Sequence, residues 1–415
     1  MRQRIEIWTG IGTFVFAGVS LAISPTSIAA EIDTEETLEI GLGDRHDITI
    51  DKTDALSGLL IAQGGEGGEE GAEISANPNE MADPELGVAI ATDFTDKVII
   101  PTYEALVEEA GKLETAVTTF TRNPTEATLE TARSTWIEAR FPWEQSESFA
   151  FGPASSLGYD GDLDDWPVNE TDVRAILASD DELTLEYVEN LQTTEKGFHT
   201  IEFLLFGLDN DKSLSDFSDR DLEFLAVLAP AFNATATELL QSWVDGVEGN
   251  PPYREVLVTA GDDDNPAYLT ARAAVVEIVA GIMGALDEVG NEKIGDPLST
   301  QAAIGFESRF SHTSVNDFRN NMLGIKFAYE ASIEGGEGGE GTTSLSDLIA
   351  SVDPDVDAEF RAKLDAAIEA IEAIPIGIEA KLSQPAAFAQ LSRAQIAVLA
   401  ALEVVEDDIL PIVQS

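Results

Sequence analysis

The chain runs to 415 residues, with 23 basic against 78 acidic side chains, a formal net charge of −55, and no cysteine. Without thiols there are no disulfides, thiolate metal sites, cysteine nucleophiles or lipoprotein acylation, so the core alone must stabilise the fold; at 44% hydrophobic residues it can. The charge excludes nucleic acid and anionic lipid as partners, because so acidic a surface repels both.

At the N-terminus, Arg2 and Arg4 precede an apolar run from about Ile7 to Ile23, and Ala29 and Ala30 stand before Glu31. Residues 1–30 read as a cleaved secretory signal. An uncleaved anchor is disfavoured because Thr9, Gly10, Gly12, Thr13, Gly18 and Ser20 interrupt the run. No later segment approaches the ~20 apolar residues of a spanning helix. The mature chain is therefore expected in the periplasm or outside the cell, without a transmembrane span. Residues 31–85 read as a flexible acidic linker, since the glycine–glutamate stretch from Gln63 to Gly71 cannot bury apolar surface. Most of the acidity suits a saline exterior, where salt screens self-repulsion over roughly 8 Å.

From residue 86 the pattern is helical. Tyr103, Leu106, Val107, Ala110, Leu113, Ala116, Val117 and Phe120 form one apolar stripe. Asn123-Pro124-Thr125-Glu126 predicts a new helix with Asn123 as N-cap, Pro124 at the first position and Glu126 closing a capping box. Asn250-Pro251-Pro252 breaks the chain, dividing it into halves of about 86–250 and 251–412. A second glycine–glutamate run at 334–341 reads as a flexible surface loop; it lacks the ligand ladder of a calcium loop. Near the end, Phe388, Leu391, Gln395, Val398, Leu402, Val405 and Ile409 make a heptad-like seam with one polar member. No alternating run long enough for a sheet appears. The expected fold class is all-α, two packed antiparallel helical-bundle halves.

The chemistry-bearing motif is Gly197-Phe198-His199-Thr200-Ile201-Glu202, which contains one of only three histidines. Its pattern G-x-H-x-x-E sets an imidazole and a carboxylate three apart on one helical face, a nitrogen-plus-oxygen pair suited to a metal ion. Taken alone, the same spacing describes an ordinary histidine beside a glutamate. On a helix Arg140, Glu144, Glu147 and Phe151 also share a face. The bland reading is a surface ion pair worth ~0.3–0.5 kcal/mol; the aromatic surroundings argue instead for acids that need a partner or a metal. Glu307, Phe310, Ser311, Ser314 and Asp317 fall at helical steps too, and two buried acids there would need a compensating cation. His312, beside serine and threonine, reads as a hydrogen-bonded or exposed residue, and His46 lies in the linker.

Three segments accompany the motif. Upstream are Arg140-Phe141-Pro142-Trp143-Glu144-Gln145-Ser146-Glu147, running on to Phe151-Gly152-Pro153, and Asp164-Asp165-Trp166-Pro167. Downstream are Glu307-Ser308-Arg309-Phe310-Ser311, then Asp317-Phe318, Asn320-Asn321 and Tyr329. In this order, over roughly residues 86 to 412, the chain resembles the imelysin family, and within it the cyanobacterial iron-regulated type. The resemblance implies an exported helical protein of two similar halves with a site between them, in a group first described as metallopeptidases and tied to iron uptake. It also matches Glu147 to the family's acidic position before the aromatic-Gly-Pro turn, and Asp317 to an aspartate in the cavity facing the motif.

The expected metal ligands are thus His199, Glu202, Glu147, Asp317 and Glu307. No H-E-x-x-H or inverted H-x-x-E-H is present. The oxygen-rich set suits iron better than a catalytic zinc, with zinc as the alternative ion. The leading expectation is an exported metal-binding protein in iron acquisition, partnered by the metal ion and by an iron-transport component of the cell envelope. The alternatives are a metallopeptidase and an acidic surface protein with no metal site.

Overall fold

A computed structural model describes residues 81–333 and 341–415. The expected leader, the linker up to residue 80, His46 and residues 334–340 of the glycine–glutamate loop lie outside the described residues. What is described is helical throughout, with no strand, and no described helix is long and apolar enough to cross a membrane.

The principal helices are α1 (Pro84–Phe94), α2 (Ile100–Arg122), α3 (Glu126–Ser146), α4 (Tyr159–Asp164), α5 (Gly197–Phe206), α6 (Asp219–Val244), α7 (Ala271–Asp287), α8 (Ser314–Glu330), α9 (Pro354–Glu372) and α10 (Pro385–Val404). α2 packs on both α3 and α6; α9 pairs with α10, and α3 with α8. α1 reaches forward in sequence to lie against α7. The apolar stripe of α2 is buried along its length, Val107 only in part. Along the seam of α10 and the π-helical turn after it (Val405–Ile409), Leu391, Val398, Leu402, Val405 and Ile409 are buried and Phe388 partly so, while the polar member Gln395 donates through Nε2 to the carbonyl of Gly290 at 3.1 Å.

α3 does not begin where the sequence suggested. Asn123 instead ends α2, its N–H donating to the carbonyls of Thr119 and Phe120 at 3.0 and 3.2 Å. Thr125 is the N-cap, accepting from the Thr128 N–H at 3.2 Å, and Thr128 Oγ1 returns the bond to the Thr125 N–H at 3.0 Å. Asn123 cannot both close one helix and open the next, so the capping box shifts by two residues.

The α3–α8 crossing positions the site. A Cβ on Gly324 of α8 would fall 2.1 Å from the carbonyl oxygen of Gln145, so only glycine lets α8 approach the acid-bearing end of α3. Gln145 and Asn320 then bond side chain to side chain at 2.7 Å. Gly324→Ala should force the two helices apart and destabilise the protein by ~1–3 kcal/mol, the usual range for overpacking. Urea denaturation followed by circular dichroism would measure it; an unchanged midpoint would show that the crossing is not constrained.

Candidate metal centre

The centre is assembled around α5, every residue of which is buried. Gly197 opens the helix at φ +73°, where a Cβ would lie 2.4 Å from the Leu163 carbonyl oxygen. The start of α5 is thereby seated against the end of α4, which carries Asp164. Phe198 locks the helix in the core. Its ring packs edge-on with Trp136 and Phe232 at centroid distances of 6.1 and 4.3 Å, and its carbonyl accepts from Trp136 Nε1 at 3.0 Å. Burying such a ring contributes ~1.5–3 kcal/mol, enough to hold a polar residue inside next to it.

His199 is held from both sides. Nδ1 meets Glu202 Oε2 at 3.1 Å and Nε2 meets Asp164 Oδ1 at 3.2 Å. The other oxygen of Glu202 accepts from the backbone N–H groups of Phe310 and Ser311 at 3.1 and 2.8 Å. Both oxygens of this carboxylate are thus occupied: Glu202 orients the imidazole and ties α5 to the segment bearing Glu307. Trp143 Nε1 donates to Asp164 Oδ2 at 2.5 Å.

Arg140 fills the middle of the cluster. It pairs with Glu144 and Asp164, with Glu307 at 3.0 Å and with Asp317 at 3.6 Å, while its guanidinium lies 5.0 Å from the Phe198 ring centre. Lys293 enters from the far side, its Nζ 2.7 Å from Glu147, 3.0 Å from Glu307 and 3.2 Å from Glu144. Asn321 Nδ2 donates to Glu144 Oε2 at 2.7 Å and Glu147 Oε2 at 2.6 Å.

Six carboxylates (Glu144, Glu147, Asp164, Glu202, Glu307 and Asp317) thus face two fixed cations and one imidazole. Burial penalises every charge in the cluster, and the partners decide which groups keep theirs. Arg140 and His199 outweigh burial at Asp164 and hold it below the usual carboxylate range; Lys293 and Arg140 do the same for Glu307. At Glu144 burial wins and the pKa rises. Glu147 and Asp317 are pushed well above the usual range, again chiefly by burial. For His199 burial favours the neutral ring, but Asp164 and Glu202 overcome it and raise the pKa to about 10.

The residues fit a metal ion. Ligand atoms of Asp164, His199 and Glu307 lie within 4.8 Å of one another, as do those of Glu144, Glu147, Asp164 and Glu307. Asp317, only 1% exposed, has no hydrogen bond to either carboxylate oxygen. Its one charged contact is the 3.6 Å approach of Arg140 Nε. A buried acid so weakly paired is costly unless a proton or a further cation compensates it, and a polyvalent ion that displaced the protons of His199, Glu147 and Asp317 would be neutralised by the charge they leave.

The structure brings four expected residues to one buried cluster, His199, Glu147, Glu307 and Asp317, with Glu202 behind the imidazole. It corrects the local geometry of two. Glu307 and Asp317 do not share a helical face, because α8 begins only at Ser314. Residues before it turn, with His312 in the left-handed region at φ 62°, and the N–H groups of Phe310, Ser311 and Ser314 are taken by Glu202 and Glu379 instead of a helix. The Arg140–Glu144 pair, readable as a surface bridge, is buried at 1% and 0% exposure. Glu144, Asp164 and Lys293 are not among the expected ligands. Asp164 lies in the Asp164–Pro167 segment, but no local spacing ties it to His199, and nothing around Lys293 marks it.

An imelysin family model matches residues 99–405. Iron-regulated protein A of Synechococcus elongatus is 37% identical over 323 residues, 77% of this chain and 85% of that protein. Among solved structures, an iron-regulated protein A precursor from Parabacteroides distasonis superposes with a TM-score of 0.69 at 26% identity, covering 81% of this chain and 97% of its own. An imelysin-like protein from Psychrobacter arcticum superposes with a TM-score of 0.60 at 13% identity, covering 80% and 97%, a likeness of fold alone.

The raised His199 pKa makes stability depend on pH. Because the folded value, about 10, exceeds the ordinary 6.5, the imidazolium stabilises the metal-free protein fully below about pH 6.5, and that contribution is lost as pH rises through about 10. In chelator-treated protein, the urea midpoint of wild type should exceed that of His199→Gln most at pH 6 and least near pH 10. A pH-independent difference would show a neutral imidazole.

Proposed function

The chain belongs to the imelysin family, and from that premise we propose that it is an exported protein that binds a metal ion, with iron favoured, and works in iron acquisition. The observation that carries this reading is the buried cluster in which the imidazole of His199 and the carboxylates of Asp164 and Glu307 converge within metal-ligand range, beside Asp317, which makes no hydrogen bond and only a 3.6 Å ion-pair contact with Arg140. His199, Asp164 and Glu307 would hold the ion first, with Asp317 as a further oxygen donor, Glu147 beside them on Lys293 and Glu202 setting the imidazole's orientation. A single nitrogen among many hard oxygens suits iron better than the two- or three-nitrogen set of a catalytic zinc. The iron-regulated description of the Synechococcus relative supports the same choice. The apolar run at residues 7–23 behind Arg2 and Arg4 supports export, and the proposed partner is an iron-transport component of the cell envelope.

Metal must displace protons here. Up to about pH 10 His199 carries one, and Glu147 and Asp317 hold theirs well above the ordinary range. Uptake at neutral pH should therefore release protons and strengthen as pH rises from 6 to 8, seen as buffer-dependent heat in calorimetry. His199→Ala should weaken specific binding at least ~10-fold, or ~1.4 kcal/mol. Glu202→Ala should cost ~10-fold or more by freeing the imidazole and the Phe310–Ser311 backbone. Titrations with ferrous, citrate-buffered ferric and zinc ions must run in enough salt to suppress cation uptake by the acidic surface. Unchanged one-to-one binding in both variants would refute the centre. Casein cleavage by the loaded protein, lost with His199→Ala, would favour the peptidase reading instead.

A further inference from the structure

The geometry points to Lys293 as a tethered cation that occupies a second ion position in the acid cluster and so holds the centre to one metal ion per chain. The inference rests on the reading that an ion binds at His199, and concerns the neighbouring position. Five carboxylate oxygens lie within 3.2 Å of the Lys293 ammonium, and Glu288 Oε1 stands off at 3.9 Å. Glu147 contributes Oε1 and Oε2 at 2.8 and 2.7 Å, Glu307 Oε1 at 3.1 Å and Oε2 at 3.0 Å, and Glu144 Oε2 at 3.2 Å. An ammonium has three hydrogens to donate, so the cage offers more oxygen than it can use. A bare ion taking six or more ligands would use all of it.

An independent observation comes from Asn321, 1% exposed. Its Nδ2 donates to the Glu144 and Glu147 carboxylates and, at 3.0 Å, to the Glu144 carbonyl, and its Oδ1 has no hydrogen-bond partner. A half-turn of this amide would give up the bond to the Glu144 carbonyl and present an oxygen to the cage in place of a donor, as a bare ion there would require. The two groups of ligand atoms, Asp164–His199–Glu307 and Glu144–Glu147–Asp164–Glu307, have Asp164 and Glu307 in common. Two adjacent positions joined by shared carboxylates are the arrangement of helical-bundle two-metal centres.

The backbone explains how the lysine gets there. Residues Glu288–Lys293 form a π-helical turn after α7, closed by the Ile294 N–H on the Val289 carbonyl at 3.1 Å. The wider turn rotates the following side chain relative to an α-helix and leaves Lys293 only 4% exposed. With the ammonium in place the cluster keeps one open position, suited to holding an ion. With a second ion there instead, it would have the paired Lewis acids of a two-metal hydrolase.

Manganous ion is the probe, because electron paramagnetic resonance separates an isolated ion from a spin-coupled pair. The full chain at saturating Mn²⁺ should show one uncoupled ion, and Lys293→Arg likewise. Lys293→Ala should bind two, with a coupled signal. The double variant His199→Ala/Lys293→Ala should keep one ion, held where the ammonium was, which tests the position without relying on His199. A folded Lys293→Ala that binds no more Mn²⁺ than wild type, a double variant that binds none, or a coupled pair in wild type would each overturn the inference. If Lys293→Ala does not fold without metal, refolding with Mn²⁺ decides: recovery supports the position and no recovery overturns it. Failure of wild type alone to bind any ion would instead remove the reading at His199.

Discussion

One buried guanidinium holds the centre together. Arg140 is 1% exposed and touches carboxylates from its own helix, from α4, from the turn before α8 and from α8 itself. An arginine cannot shed its proton to escape burial, so acids must gather round it. Each of those acids would be unstable in the same place without it. This mutual need fixes where α4 and the Phe306–Thr313 turn lie, and Phe198 supplies the apolar floor beneath the guanidinium. Six acids nonetheless outnumber the two fixed cations, and protons on His199, Glu147 and Asp317 make up the difference. Those exchangeable protons are what a further cation would displace, and an internal salt-bridge network with matched charges has none.

Within the motif the two polar residues divide the work. His199 presents its ring to Asp164, while Glu202 is turned toward backbone N–H groups of a distant segment. The glutamate three residues on therefore acts as the support that selects one face of the imidazole, as carboxylates behind metal-bound histidines commonly do. The spacing of the motif is what allows this. One helical turn brings Glu202 under Nδ1 and leaves Nε2 toward the cluster.

The extreme surface acidity and the buried acids have different physics. A net charge of −55 draws cations to the whole surface, weakly and with strong dependence on salt. The cluster lies where screening is slight and desolvation large, so only an ion that sheds water and accepts several oxygens gains by entering. The surface can raise the local concentration of cations; an ion bound in the interior would have to satisfy the stricter demand.

By itself the sequence determined the all-helical class, the buried stripe of α2, the seam of α10 and the pairing of His199 with Glu202, because each depends on residues within a few turns of one another. Family resemblance, carried by short segments in order, added Glu147 and Asp317. Tertiary structure decided the rest. Arg140, Asp164, Lys293 and Glu307 meet only because Gly197 seats α5 on α4, Gly324 lets α8 cross close to α3, and a π-helical turn swings Lys293 inward. No spacing rule links positions that far apart, and a chain with 78 acidic residues gives no local sign of which few are buried. Nor could periodicity tell that the turn before Ser314 is not helix, since its N–H groups are claimed by Glu202 and Glu379 from elsewhere in the fold. Burial separates a solvated acidic face from a metal centre, and burial is a property of the packed molecule.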